Sequence, residues 1–306
     1  MTSVPTDDAV TRIRTIPDPQ EPVPLLARPT VWLFIAGMST WIASTALALT
    51  HTWPLVLSIA CNTVGAFILF TVSHEAAHNT ISTRPEVNTW FGRFATLLFA
   101  PHASFSAWRF IHMQHHRFTN HTDGSDPDHY TNGGPKLLRP LRWITVDLQY
   151  VPFYLRRIRS RPQAELNELF VTLSLLIAVG IGIVAAGYGV ELLLLYFLPI
   201  RLSILWLGWA FDYLPHHELT ARPQDDKFRT TRNRIGMERL ITPLLLYQNY
   251  HLVHHLHPVV PFYKYIAVWR RNEDEYLLRD PALSDVRGRA LTADEYRRLR
   301  ELQHSH

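Results

Sequence analysis

WPLVLSIACNTVGAFILFTVSHEAAHNT, residues 53–80, joins two signals that are seldom adjacent. Trp53 to Val72 is uncharged and long enough to cross a bilayer, which takes roughly 20 apolar residues. It runs directly into His74-Glu75-Ala76-Ala77-His78. Two histidines four apart share one helix face. The same HExxH pattern lets a zinc protease place two ligands and a general base. The pentapeptide alone leaves a protease and another kind of metal site equally open.

Three further runs match the first in length. Val31–Thr50 precedes it, and about Leu169–Gly187 and Glu191–Phe211 follow. Short connections within each pair predict two helical hairpins. Those connections carry no Lys or Arg, whereas the N-terminal stretch, residues 73–166 and the segment after 212 are rich in both. The positive-inside rule therefore predicts a cell-membrane protein with both termini and the histidines on the cytoplasmic side. The expected class is an all-α integral membrane protein: four transmembrane helices as two hairpins, with a cytosolic helical cap. The piece from Thr89 to Phe105 contains Arg93 and reads as an interfacial or half-buried helix.

The expected organisation is a disordered, proline-rich polar tail over 1–28, a membrane domain over 29–275, and a polar tail over 276–306. In the last, Thr292 and Glu295 have capping-box spacing, which predicts a short surface helix. Cys61 is the single cysteine, so a disulfide framework, a zinc finger and an iron–sulfur cluster are excluded. The net charge of +4 follows from topology. No basic stripe with interleaved aromatics points to nucleic acid. The glycines of GIGIVAAGYG lack a preceding strand and dinucleotide spacing, and read as packing glycines.

The chain has 17 histidines. HMQHH, residues 112–116, and HLVHH, residues 251–255, each place three imidazoles at i, i+3 and i+4. His216 follows the fourth span, with Asp212 four residues before it. His74, His78, His112, His115, His116, His216, His251, His254 and His255, with Asp212, thus form a candidate ligand set. A single zinc takes three or four ligands, so the surplus calls for two metal ions. Imidazole suits iron, zinc, copper and nickel alike. A protease would leave both HxxHH clusters unexplained, and Glu75 then reads as a proton carrier or a partner orienting a ligand. His51, His102, His304 and His306 read as ordinary histidines; His121, His129, His217 and His257 lie near the clusters but off their spacing. Arg201, near the middle of the fourth span, has the wrong sign for a cation path, which argues against a metal carrier. A charge there faces a partner or a cavity. It either pairs structurally or lines a substrate tunnel.

HEAAH, HMQHH and HLVHH resemble the three histidine boxes of the membrane fatty-acid desaturase and hydroxylase superfamily. The resemblance implies a non-haem diiron centre at the cytoplasmic end of four transmembrane helices, using dioxygen and two electrons from a redox partner. In that family an Asn with a His four residues later supplies a further ligand pair. Here Asp212 and His216 have that spacing, and the Asp is left either as a direct ligand or as a partner through water. Residues 116–135 (HRFTNHTDGSDPDHYTNGGP), 211–218 (FDYLPHHE) and 248–265 (QNYHLVHHLHPVVPFYKY) look most like desaturase-related β-carotene hydroxylases. Glu75 departs from the Asp of that branch. The implied activity is hydroxylation of a carotenoid ring, as in β-carotene, with a carotenoid ketolase or an acyl-lipid desaturase or hydroxylase as alternatives. Such C–H bonds lie beyond acid–base chemistry, so the cofactor carries the step. The apolar substrate would enter from the membrane lipid. Without a nucleotide fingerprint or cysteine cluster, electrons are expected from a separate donor such as a ferredoxin. Arg156, Arg157, Arg159 and Arg161 are its candidate docking face.

Overall fold

The computed structural model describes residues 15–304. The chain divides into two compact units, Val23–Tyr213 and Leu214–His306 with Met1–Pro22. In the first unit lie α1 (Arg28–Leu49), α2 (Leu55–Ala77), α3 (Pro85–Thr96), α4 (Phe105–Phe118), α5 (Arg139–Ile144), α6 (Val146–Leu155) and α7 (Gln163–Ala185). The long helix α8, Gly189–His216, runs to its end. Four helices, α1, α2, α7 and α8, are long and apolar enough to cross a membrane. The protein is therefore a mostly helical, integral membrane protein.

All four of these helices extend beyond the expected spans at one end or both. The second continues past Val72 through Ala77, because Ser73-His74-Glu75-Ala76-Ala77 is buried and contains no helix breaker. His74 is thereby inside α2, and His78 is its C-cap. α1 packs along α2, where Gly65 lies against Trp41. Asn62, fully buried on α2, ties three helices together. Its amide donates to Leu195 O at 2.8 Å and Thr45 Oγ1 at 3.0 Å, and its oxygen accepts from Ser44. In an apolar bilayer such side chains hold helices together because they have no water to turn to. By contrast, no residue of the apolar window of α7 is buried.

The expected interfacial piece is broken. α3 ends at Thr96, and α4 starts afresh at Phe105 behind the N-cap Ser104, whose hydroxyl accepts from Ala107 N at 3.3 Å. In α8, Leu193–Phe197 and Gly208–Tyr213 are π-helical. Gly208 lets α5 come close: a Cβ there would stand 2.8 Å from Cα and O of Trp143. Gly208→Ala is expected to cost about 1–3 kcal/mol through this overlap with backbone. A lower thermal midpoint in detergent would record it.

The second unit departs from the all-α expectation. It holds a three-stranded sheet of β1 (Asn233–Ile235), β2 (Leu283–Asp285) and β3 (Ala290–Leu291), in the order β1-β2-β3. β1 pairs parallel to β2 and β2 antiparallel to β3. Around it lie α9 (Glu238–Leu244), α10 (His251–Leu256), α11 (Tyr265–Arg271), α12 (Glu273–Leu277) and α13 (Ala293–His304). The capping box forms reciprocally: Thr292 N donates to Glu295 Oε2 at 2.9 Å, and Glu295 N to Thr292 Oγ1 at 3.2 Å. The helix it starts is anchored as well as solvated, since Tyr296 is fully buried between Trp269 and Glu273. Of the expected N-terminal tail, residues 1–14 lie outside the described residues. From Thr15 on, the tail makes contacts within this unit: Glu21 pairs with Arg271 at 2.7 Å and Lys264 at 3.4 Å, and Asp18 O accepts from Asn272.

Candidate metal centre

In the first unit, α2 and α4 bring four imidazoles together. His74 and His78 come from the end of α2, and His112 and His116 from α4, with one ring nitrogen of each within 4.8 Å of the others. His78 Nε2 and His112 Nε2 are 2.8 Å apart. The indole of Trp108 stacks on His112 at 5.3 Å, nearly parallel. Burial first, and then the neighbouring imidazoles, hold His78 and His112 well below the usual histidine range. Arg109 adds to this at His78. Their rings therefore stay neutral and keep lone pairs for a metal.

In the second unit, His216, His251 and His255 form a corresponding group, again with one nitrogen of each within 4.8 Å of the others. His251 Nε2 and His255 Nε2 are 3.1 Å apart. Gln248 Oε1 lies 2.5 Å from His251 Nδ1, which places the proton on Nδ1 and the lone pair on Nε2.

Both groups fit a metal ion. A tetrahedral set of nitrogens with bonds of roughly 2.1 Å has edges of about 3.4 Å. The 2.8 and 3.1 Å separations are shorter, closer to the right-angle spacing of about 3.0 Å in a six-coordinate site. Clustered imidazoles of this kind suit iron, zinc, copper or nickel.

The sequence matches the family described as fatty acid desaturase over residues 50–286. The chain belongs to the fatty acid desaturase family. It is part of the histidine-box desaturase and hydroxylase superfamily. Its relatives include a β-carotene ketolase of Paracoccus sp. (strain PC1), 28% identical over 76% of this chain and 85% of the ketolase. The sn-1 oleoyl-lipid 12-desaturase of Picosynechococcus sp. is 26% identical over 83% of this chain and 79% of that enzyme. A chloroplastic omega-3 fatty acid desaturase of Brassica napus is 25% identical over 69% of this chain, and the match spans 58% of that longer protein.

The remaining site residues of this desaturase-family chain take distinct positions. His115 is buried on α4, with Nδ1 2.9 Å from Asp126 Oδ1 and 3.3 Å from Asp128 Oδ2. Burial alone would depress its pKa; Asp128, Asp126 and, more weakly, Asp212 reverse that and raise it to about 9. Asp126 is itself held by Asn120 N at 2.8 Å, and Asp128 by the Tyr150 hydroxyl at 2.5 Å. His254 Nδ1 lies 2.9 Å from the Tyr265 hydroxyl. Asp126, Asp128, Tyr150, Gln248 and Tyr265 are partners that sequence reasoning missed. The one available signal was the DPD tripeptide at 126–128 within the family-like stretch. Replacing Asp126 with Asn is expected to weaken metal retention about 10–100-fold, as loss of such an orienting carboxylate usually does. Competition with a chelator measures it, and unchanged retention would remove Asp126 from the site.

Glu75 is fully buried beside His74, with Oε1 3.8 Å from His74 Nδ1 and Oε2 accepting from Thr80 Oγ1 at 2.8 Å. Asp212 lies in the π-helical turn Gly208–Tyr213, and His216 follows four residues later at the end of α8. Arg201 faces Asp147 on α6: Nη1 is 2.8 Å from Oδ1 and 3.1 Å from Ile144 O, and Nη2 binds Oδ2. His257 Nε2 lies 2.6 Å from the Tyr276 hydroxyl.

Proposed function

We propose that this protein is a membrane oxidoreductase that holds two iron ions and uses dioxygen to hydroxylate the ring of a carotenoid such as β-carotene. The observation that carries the reading is the pair of buried and part-buried imidazole groups in a chain that presents membrane-length helices. The likeness to a β-carotene ketolase over 76% of this chain and 85% of that enzyme favours a ring substrate over an acyl chain. In this reading His74, His78, His112 and His116 hold one iron and His216, His251 and His255 the other, with His115 and His254 as further donors. Bound there, the irons supply the dioxygen activation and one-electron chemistry that an unactivated C–H bond requires.

The protein's own side chains orient and insulate. Asp126 and Gln248 fix the ring planes and tautomers of His115 and His251. The Phe70, Phe99 and Trp108 rings wall the His74 and His112 side away from water. Glu75, buried and held by Thr80, is placed to orient His74 or to hold a proton at Oε1. The overall balance is C–H + O2 + 2 e⁻ + 2 H⁺ → C–OH + H2O. The two electrons come from a separate donor, for which a ferredoxin is the proposed class. Arg156 and Arg159 remain exposed for it, whereas Arg161 is engaged by Glu165 and Arg157 lies over the Phe153 ring.

Acyl-lipid desaturation is the second reading, favoured by the likeness to the sn-1 oleoyl-lipid 12-desaturase over most of both chains. One experiment separates them. The protein is expressed with a ferredoxin system in β-carotene-producing cells, beside a His115→Ala, His254→Ala double variant, and pigments and fatty acids are analysed by mass. Carotenoids gaining one or two hydroxyl oxygens only with the wild type support the proposal. Carbonyl masses turn the reading to a ketolase. Unchanged pigment with new double bonds in the host lipids turns it to a desaturase.

A further inference from the structure

A cluster of charge lies outside both histidine groups. On α4, Phe105, Arg109 and Met113 occupy the face next to that of His112 and His116, and line a cavity of about 520 Å³. Arg93, Arg161, Glu165 and Glu168 complete it. Two of its three arginines are committed. Arg93 donates to Glu168 Oε2 at 3.2 and 2.7 Å, and Arg161 grips Glu165 at 2.9 and 2.7 Å. Arg109 is half-buried and has no hydrogen bond or ion pair among the described residues. Three cations against two carboxylates leave the cavity one positive charge in excess. A charge taken out of water without a counter-ion is costly, and a bound anion removes that cost.

Beside it lies a second, apolar cavity of about 680 Å³, and the two share Arg93, Phe105, Ala164 and Glu168. The apolar part is a channel between Trp90, Phe94 and Leu97 on one side and Val171, Leu175 and Val179 of α7 on the other. Val171, Leu175 and Val179 form one stripe at four-residue spacing along a span with no buried residue in its apolar window. The channel wall is therefore membrane-facing. Both volumes lie in the usual range of ligand sites, about 300–1,000 Å³. Aromatic residues such as Trp90 belong at the headgroup level, and basic pockets between membrane helices take anionic headgroups.

We propose that this groove binds a membrane phospholipid with an anionic headgroup, its phosphate against Arg109 and one acyl chain in the channel between α3 and α7. The prearranged Arg93–Glu168 and Arg161–Glu165 pairs form the walls of the headgroup site, and Arg109 supplies the free charge. The bound lipid bridges α4 to α7, a span that otherwise has little protein against it. None of the histidines assigned to the metal lines this groove, and the proposal does not depend on the substrate assigned above.

The test is lipid retention by the full chain, purified in mild detergent after exposure to equal amounts of phosphatidylglycerol and phosphatidylcholine, and read by native mass spectrometry. The wild type is expected to keep phosphatidylglycerol preferentially. Arg109→Gln should lower that preference roughly tenfold, the effect of losing one charge-assisted contact. Leu175→Trp, which fills the channel and leaves the arginines in place, should lower retention of both lipids. Metal content and thermal midpoint in lipid-free detergent check that each variant is folded. Equal retention of the two lipids by the wild type, or undiminished preference in folded Arg109→Gln, overturns the proposal. Displacement of the lipid by inorganic phosphate at equal concentration also overturns it, since the site would then be a plain anion pocket.

Discussion

On the proposed two-iron reading, loss of His112 is expected to lower the iron content from about two ions per chain towards one and to reduce product formation at least ~100-fold, the upper end of what losing a mere supporting partner costs a metal site. The reason is geometric. His112 Nε2 lies 2.8 Å from His78 Nε2, and His74 and His116 converge on the same small volume. Removing one of the four imidazoles opens a coordination position and unstacks the Trp108 ring. His255→Ala should produce the complementary loss in the other group, which offers three such donors. The control is His51→Asn, on the connection after α1, where a positive φ of 55° is one that Asn tolerates. Elemental analysis of the purified variants and pigment profiles of the same cells provide the two readouts. Full iron content and activity in His112→Ala would remove the four-histidine group from the metal-site reading.

Much of this site was legible because both of its signals are periodic. An uncharged run the length of a bilayer and triplets spaced i, i+3, i+4 survive in sequence whatever the tertiary contacts. The capping box at Thr292 and Glu295 was legible for the same reason, since its two hydrogen bonds lie within one turn. Helix type was lost where the helix itself departs from 3.6 residues per turn. The π-helical Gly208–Tyr213 leaves no mark in GWAFDY beyond its glycine. The sheet was missed because strands of two and three residues are too short to show a period of two. The burial of Tyr296 was missed because one aromatic among arginines gives no stripe. The partners of His115 and His254 come from other elements, eleven residues away in Asp126 and Tyr265. No local spacing rule predicts such contacts. They follow only from how α4 meets the 120–128 loop, and how α10 meets α11.

Arg201→Leu is expected to destabilise the protein by at most about 3–5 kcal/mol, the cost of stripping a buried carboxylate of its partner, since Arg201 itself is only part-buried. Asp147 is buried, and the guanidinium fork occupies both its oxygens while also donating to Ile144 O. The sequence left Arg201 as either a structural partner or the lining of a substrate tunnel, and its position against Asp147 favours the partner. Neutralising both residues, in Arg201→Leu with Asp147→Leu, should therefore recover most of the loss, because apolar replacement of a complete pair is close to neutral. His102 adds a pH signature, since its Nδ1 lies 3.5 Å from Asp147 Oδ2. Burial, chiefly, and then Arg201 hold His102 below the usual histidine range, against the pull of Asp147. Without Arg201 that depression eases, and a protonated His102 can take its place beside Asp147. The stability loss in Arg201→Leu should accordingly be smaller at pH 6 than at pH 8, and His102→Ala should abolish the difference. Thermal unfolding of the single, double and triple variants at both pH values measures all three expectations. Iron content should not change in any of them. A double variant that regains stability but makes a different product would return Arg201 to the substrate path.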